Sequence, residues 1–341
     1  MKLSLLCATF LLGCLSLKAQ QDTTYIRDFR DYGNLSFAME AKANNITIFG
    51  RRGGALRLSS NNGLPTYGVM FSYKWLNVWA TTKLGPLTYS NEQKGSTNNL
   101  GLAVGYTGDH WWARIFYEQY RGYHIANPES FAPNWFAEND NYPLIPDLRS
   151  RTLYGNVYYG FNEKTYSHRA MLWQSQEQRR SAGSWLMGVS LGYDHIFSDT
   201  SIVPVEGVID YYEIRNVSGY ETVNGAINVG YTYSWAFWDR WSFGLMFAPG
   251  IAGTYGVVEE VNGTNRGIDF ELAAMAEGRA ILSYHHDRWY GGIAANAYML
   301  TKPVRGDFYN NLHTYIRFNI GYRINMPKSK FLGRFGLSSD S

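Results

Sequence analysis

Past its first nineteen residues the chain has no long apolar run. Nothing there approaches the ~20 consecutive apolar residues that a membrane helix needs, so any bilayer it crosses must be crossed by strands. Cysteine is nearly absent: Cys7 and Cys14 are the only two, and both lie in the apolar start. That start, Met1 to Ala19, has Lys2, an apolar stretch and a small residue at Ala19, the pattern of a secretory signal peptide. Cleavage after Ala19 leaves no thiol, no disulfide and no thiolate metal site. A competing reading makes Leu11-Leu12-Gly13-Cys14 a lipoprotein cleavage site with Cys14 acylated. Charge of one sign is also lacking. The formal +3 loses Lys2 and Lys18 with the leader and becomes +1, which selects no polyanionic partner. Phosphate-loop, dinucleotide and nucleic-acid signatures are missing, so no cofactor and no nucleic-acid partner is expected.

What the chain does contain is aromatic residues, glycine and two-residue alternation. The clearest stretch is Glu221 to Val257, a long β-hairpin turning at Trp238-Asp239-Arg240. Val223, Ile227, Val229, Tyr231, Tyr233, Trp235 and Phe237 share one face of its first arm; Trp241, Phe243, Leu245, Phe247, Ile251, Tyr255 and Val257 share one face of the second. The opposite faces carry Gly, Ala, Ser, Asn and Thr. A water-facing strand surface is normally rich in Lys and Glu, so this slender polar face is assigned to an interior and the oily face to lipid. The expectation is an all-β, antiparallel, up-and-down transmembrane barrel of the outer membrane, with lipid and the barrel-assembly machinery as its partners.

The same alternation recurs at Tyr67 to Trp75, Val78 to Leu84, Leu100 to His124, Arg151 to Gly160, Trp185 to Tyr193, Ile268 to Tyr284, Trp289 to Thr301 and His313 to Ile324. Tyr166 to Ser175 continues it in blurred form, and Asn34 to Ser60 holds one or two strands. Short turns (Leu76-Asn77, Gly108 to His110, Trp238 to Arg240, His285 to Arg288) have Trp75, Trp79, Trp111, Trp112, Trp238, Trp241 and Trp289 beside them, as an interfacial aromatic girdle would. Assigning short turns to one side and long connections to the other requires a strand within Ser201 to Tyr220. The count is then about 14 strands, with 12 as the fallback. Residues 34–324 form the expected barrel; 20–33 form a periplasmic segment or plug, and 325–341 a periplasmic tail. The piece from Ile125 to Leu148 holds four of the chain's 10 prolines and is expected to be a loop outside the membrane or folded into the lumen.

Two segments carry a family resemblance. Tyr73-Lys74-Trp75-Leu76, and more clearly Tyr166-Ser167-His168-Arg169-Ala170 followed by Gln178-Arg179-Arg180-Ser181-Ala182-Gly183-Ser184, resemble a family of Bacteroidota outer-membrane proteins described as a domain of unknown function. The likeness covers most of the mature chain. It implies an envelope barrel and supplies no catalytic or binding residues. Read structurally, the motif is a basic tight turn with small residues that set strand register.

The candidate site is the lumen. Arg114, Glu118, Asp269, Glu271, Glu277, Arg279, Arg317 and Arg323 fall on inward faces. They are expected either to brace the barrel as an ion-pair lattice or to line a pore that selects solutes by charge. The leading reading is a passive pore or an envelope binding protein whose solute the residues do not name. The alternative is a closed, plugged barrel with a structural or docking role. A membrane hydrolase finds little support: Ser167 and His168 are adjacent, so on a strand they face opposite sides, and no histidine is followed two residues later by serine. His285-His286-Asp287 makes a poor chelate without a third partner and is read as a hydrated turn, so no metal is expected.

Overall fold

The computed structural model describes residues 21–49, 54–61, 63–83, 93–203, 214–304, 307–327 and 337. The leader and most of the tail lie outside the described residues, as does most of the strand expected near 208–214. In chain order the elements are β1 (Ile26–Asp28), β2 (Tyr32–Phe49), β3 (Ala55–Ser59), β4 (Thr66–Tyr73), β5 (Leu76–Thr82), β6 (Asn98–Thr107) and β7 (Trp111–Ile125). They continue with α1 (Trp135–Glu138), β8 (Leu144–Gly160), α2 (His168–Trp173), β9 (Gln176–Gln178), β10 (Ala182–Phe197) and β11 (Val217–Phe237). The last four are β12 (Trp241–Glu260), β13 (Asn265–His285), β14 (Trp289–Val304) and β15 (Asp307–Asn325).

Thirteen of the strands form one antiparallel sheet, which β15 closes into a ring by pairing with β2 from Phe308↔Phe49 to Asn325↔Tyr32. Closure leaves no edge to aggregate. The thirteenth strand, β3, is not a full stave. It pairs with the far half of β2 and touches β7 only at Leu58↔Ile125 and Ser59↔His124, whereas β4, β5 and β6 fill the gap between the near halves of β2 and β7. The ring therefore has twelve staves at the end carrying the short turns and fewer at the end carrying the loops. The junction in β7 is a bulge between Arg121 and Tyr123. Gly122 sits there at φ 90°, and a Cβ on it would lie 2.2 Å from the Ser96 carbonyl oxygen.

The expected count of 14 contained one stretch that is not in the ring, and another, near 208–214, that lies outside the described residues. Tyr166 to Ser175 is not a stave but α2 and its flanks, folded into the barrel. With that stretch removed, β10 and β11 follow each other directly and no strand between them is needed to keep the sides consistent. The piece 125–148 also differs at its end, since β8 starts at Leu144 and carries Pro146. The connections after Val257 and Thr301 are not loops. β12 and β13 run on to Glu260 and Asn265, and β14 and β15 to Val304 and Asp307, as long hairpins.

Burial decides which face looks where. On β11 and β12 the oily face is outside, with Ile251 73% exposed, while the slender face is inside, with Thr254 at 0%. The same holds on β15, where Ile316, Phe318 and Ile320 are exposed and His313, Arg317 and Arg323 are buried. Burying charges while exposing a continuous apolar belt is the inverse of a water-soluble protein, and it suits a wall bathed in lipid. The chain is an outer-membrane β-barrel. Its girdle is smaller than expected: Trp238 and Trp289 are exposed on the outside, but Trp79 and Trp112 share the inward face with Arg114 and are buried in the lumen.

Candidate functional site

Inward side chains fill the barrel in three layers. At the loop end the inner face is apolar: Ile46 and Ile48 of β2 meet Leu56 and Leu58 of β3, with Tyr123, Ile125, Leu148 and Tyr309 completing a packed cap. The same strand β2 carries Glu40, Lys42 and Asn44 on that face farther down, so the cap gives way to a charged middle layer.

That middle layer is an ion-pair lattice joining strands that are far apart in the ring. Lys42 Nζ lies 2.7 Å from Glu118 Oε1 and 3.7 Å from Glu40, and it sits 4.3 Å from the centre of the Trp79 ring. His313 Nδ1 is 3.1 Å from Glu118 Oε2, and the Tyr120 hydroxyl donates to the same oxygen at 3.1 Å. Arg114 Nη2 donates to Glu277 Oε1 at 2.7 Å across the lumen, and Asn156 Nδ2 donates to Glu277 Oε2 at 2.9 Å. Nearer the loop end, Asp194 accepts from Thr152, Asn224 and Asn311, while Lys302 donates to Thr222. Each ion is desolvated, and much of its cost is offset through partners on other strands, so the lattice ties opposite walls together.

The turn end is closed by a plug of two chain segments. Residues 21–31 and 161–181 fold inward and pair with each other, Ile26↔Gln178 through Asp28↔Gln176. Ser167 caps α2 by accepting from the Ala170 amide at 3.0 Å, and Gln174 ends it in the left-handed region at φ 57°. All six residues of this helix are buried. Gln174 is held by the Gly291 carbonyl (2.8 Å) and by Asn319 (2.7 Å). Arg169 reaches Asp109 at 2.8 Å, and Arg279 donates to the Leu172 carbonyl at 2.8 Å. Arg323 donates to the His286 carbonyl at 2.6 Å and lies 3.5 Å from the centre of the Phe29 ring. The wall makes room with glycine. Added Cβ atoms would lie 1.9 Å from His168 at Gly160, 2.5 Å from Met171 at Gly244 and 2.8 Å from Gln174 at Gly292.

Of the eight lumen charges named from sequence, Arg114, Glu118, Glu277, Arg279, Arg317 and Arg323 are brought into this interior. Arg323 belongs to the plug contacts and not to the middle layer. Asp269 is not enclosed: the register shifts between Thr254 and Gly256, where Ile268 becomes the buried residue, and Asp269 is exposed on the protruding hairpin. Glu271 is half-buried in the next turn of that strand, apart from the lattice. Sequence reasoning missed Glu40 and Lys42, although they alternate with Leu35, Phe37 and Met39, and it missed Asp194 and Lys302. His285 differs from the expected hydrated turn. It is 1% exposed, stacked on Phe29 and 2.9 Å from Arg323, as the last inward residue of β13. The motif Tyr166 to Ala170 is the plug itself and not a tight turn. Ser167 and His168 form no dyad there, since Ser167 Oγ donates to Gln176 Oε1 at 2.6 Å. Among the described residues no group of three or more His, Cys, Asp and Glu is placed to hold a metal.

Inside the barrel the cavities are small: one of about 10 Å³ between Trp79, Trp112, Trp173 and the arginines, and one of about 30 Å³ beside Glu118, Glu277 and Tyr298. A concavity of about 620 Å³ lies instead on the outer wall, lined by Trp185, Tyr231, Trp235, Leu245, Phe247 and Pro249. It faces lipid, where acyl chains reach it.

Several solved structures resemble the chain at low identity. The outer membrane protease OmpT from Escherichia coli is 8% identical with a TM-score of 0.36, covering 87% of this chain and 98% of that one. The β domain of the Bordetella autotransporter BrkA is 12% identical with a TM-score of 0.32, covering 86% and 99%. The P. putida toluene transporter TodX is 8% identical with a TM-score of 0.29, covering 88% and 91%. Likenesses this weak transfer no residue and no activity. No curated protein matches the chain. Residues 20–324 match the family described as Domain of unknown function (DUF4421), and the chain belongs to that family.

Proposed function

We infer that this chain is a sealed barrel of a Gram-negative outer membrane, acting as an anchor that presents its loop end to partners and not as a passive diffusion pore. One observation carries the reading: two cavities described inside the barrel hold only about 10 and 30 Å³, and the lumen is packed above by the apolar cap and below by the plug. A solute larger than water meets packed side chains at three successive levels. The short turns and the ends of β2 and β15 at Tyr32 and Asn325 are assigned to the periplasm, and the connection 126–143 to the outside, as is usual for such barrels.

The leader pattern at Met1 to Ala19 supports export, and the motif at Tyr166 to Ala170 supports an origin in the Bacteroidota. Membrane lipid and the barrel-assembly machinery are the partners that a closed β-ring in lipid calls for. A non-enzymatic role is supported by the engagement of Ser167 with Gln176 and Ala170. The test is single-channel recording of the purified protein in planar bilayers. Silence at moderate voltage is expected, and steady conductance from the wild-type protein refutes the seal.

A further inference from the structure

We propose that the middle layer of the lumen binds one halide-sized inorganic anion between Arg114, Arg279 and Arg317. Three observations converge there, and the first is charge. Among the described residues Lys42, Arg114, Arg279 and Arg317 are set against Glu40, Glu118 and Glu277, and nearer the loop end Lys302 is set against Asp194, five cations against four carboxylates. Guanidinium groups stay charged, and Lys42 is held by two carboxylates, so the surplus is positive. An uncompensated charge in a closed, low-dielectric compartment is costly, and a counter-ion removes the cost.

The second observation is unused donors. Arg317 is 3% exposed, yet among the described residues its nearest counter-charge is Glu40 at 4.0 Å and its Nε meets no protein acceptor. The Nε groups of Arg114 and Arg279 and the indole N–H groups of Trp79 and Trp112 likewise meet no protein acceptor. Buried donors of this kind are ordinarily satisfied. The third is size. The cavity that Arg114, Arg279 and Arg317 share with both tryptophans is about 10 Å³, and its neighbour is about 30 Å³. One water needs roughly 10–15 Å³, so these two cavities exclude a nucleotide or a sugar phosphate, and a halide, larger than a water, is seated by small shifts of the surrounding arginine side chains.

Because both ends of the barrel are closed, the anion enters as the chain folds and exchanges only when the barrel opens. The experiment therefore refolds the full mature chain from urea into detergent micelles in sodium chloride, sodium bromide or sodium gluconate at one ionic strength. Expected are a bromide anomalous peak in the Arg317 cavity of crystals grown from the bromide preparation, and a Tm that rises with halide concentration and not with gluconate. The halide-dependent rise is expected to vanish in Arg317→Gln. Equal Tm values in halide and gluconate with no bromide peak overturn the proposal. So does a halide effect that survives in both Arg317→Gln and Arg279→Gln. If neither variant folds, the wild-type bromide map decides alone. Conductance tests the seal and bromide tests the anion, so the two readings fail separately.

Discussion

Replacing Gly160 by valine should drive α2 out of its seat while leaving the ring intact. A Cβ at Gly160 would lie 1.9 Å from His168 Nε2, 2.7 Å from Cε1 and 3.0 Å from Cδ2, so it strikes the Nε2 edge of the ring end-on. Non-bonded heavy atoms settle at about 3.5 Å, so the imidazole must retreat by about 1.6 Å. It has no free direction. Tyr166 packs edge-on with ring centres 5.0 Å apart, and the next residue, Arg169, is fastened to Asp109 and to the Thr107 carbonyl. Overpacking of this kind costs about 1–3 kcal/mol, and the two methyl groups of valine place the cost at the upper end. The wall does not yield first, because β8 is laddered to β7 and β10 along nearly its whole length. The plug therefore moves, exposing buried Arg169 to trypsin from the turn end. The assay is limited trypsin digestion of folded protein in micelles, with folding checked by the heat-dependent shift on gels. Gly278→Ala is the control, since nothing lies within 4 Å of the added Cβ, and its digestion should match wild type. If Gly160→Val folds and is cut after Arg169 no faster than wild type, the account of the plug is wrong.

Glu277→Gln leaves Arg114 buried and unpaired and should destabilise the folded barrel by about 3–5 kcal/mol, read as a fall in the denaturant midpoint. Ile251→Arg tests the membrane assignment: on a lipid-facing wall the charge costs about 2–4 kcal/mol at mid-bilayer, whereas on a water-facing wall its effect stays within about 0.5 kcal/mol. Folding into vesicles of different thickness distinguishes the two. Asp287, in the turn before β14, is held below the ordinary aspartate value of about 3.9 by its hydrogen bond from Arg27 of the plug and by that residue's charge. A lowered folded value means that this plug contact is complete above pH 4 and is lost as pH falls through the lowered value. A carboxyl NMR titration should show the depression in wild type and its relief in Arg27→Gln.

The wall was legible from sequence because one physical rule governs it. A strand between lipid and a filled interior must alternate every second residue, and Val223 to Phe237 does so with one break, at Gly225. The absence of Lys and Glu on the slender face settled which side was which. The plug was not legible, because Tyr166 to Ser175 mixes aromatic and polar residues much as a stave does; that it folds inward depends on glycines at positions 160, 244 and 292, far apart in the chain. The lattice was half legible. Glu118, Glu277 and the arginines announce themselves on clean strands, whereas Glu40 and Lys42 sit in an alanine-rich run where the period fades. Asp269 went astray at a register shift, which no single-strand pattern can reveal.

The arc of β4, β5 and β6 has a bearing on the surrounding bilayer. Seven residues of β5 pair on both sides, a length of about 24 Å at 3.4 Å per residue, and a tilt of about 40° reduces its rise to about 18 Å. The lipid-facing band of such barrels is about 25 Å tall, and just past these strands β3 turns Arg57 outward. Acyl chains beside this arc must shorten or splay by several ångströms, and those beside β11 and β12 need not. The molecule therefore sits in its bilayer like a cup with one low side, and the membrane next to that side is its thinnest and most easily deformed part.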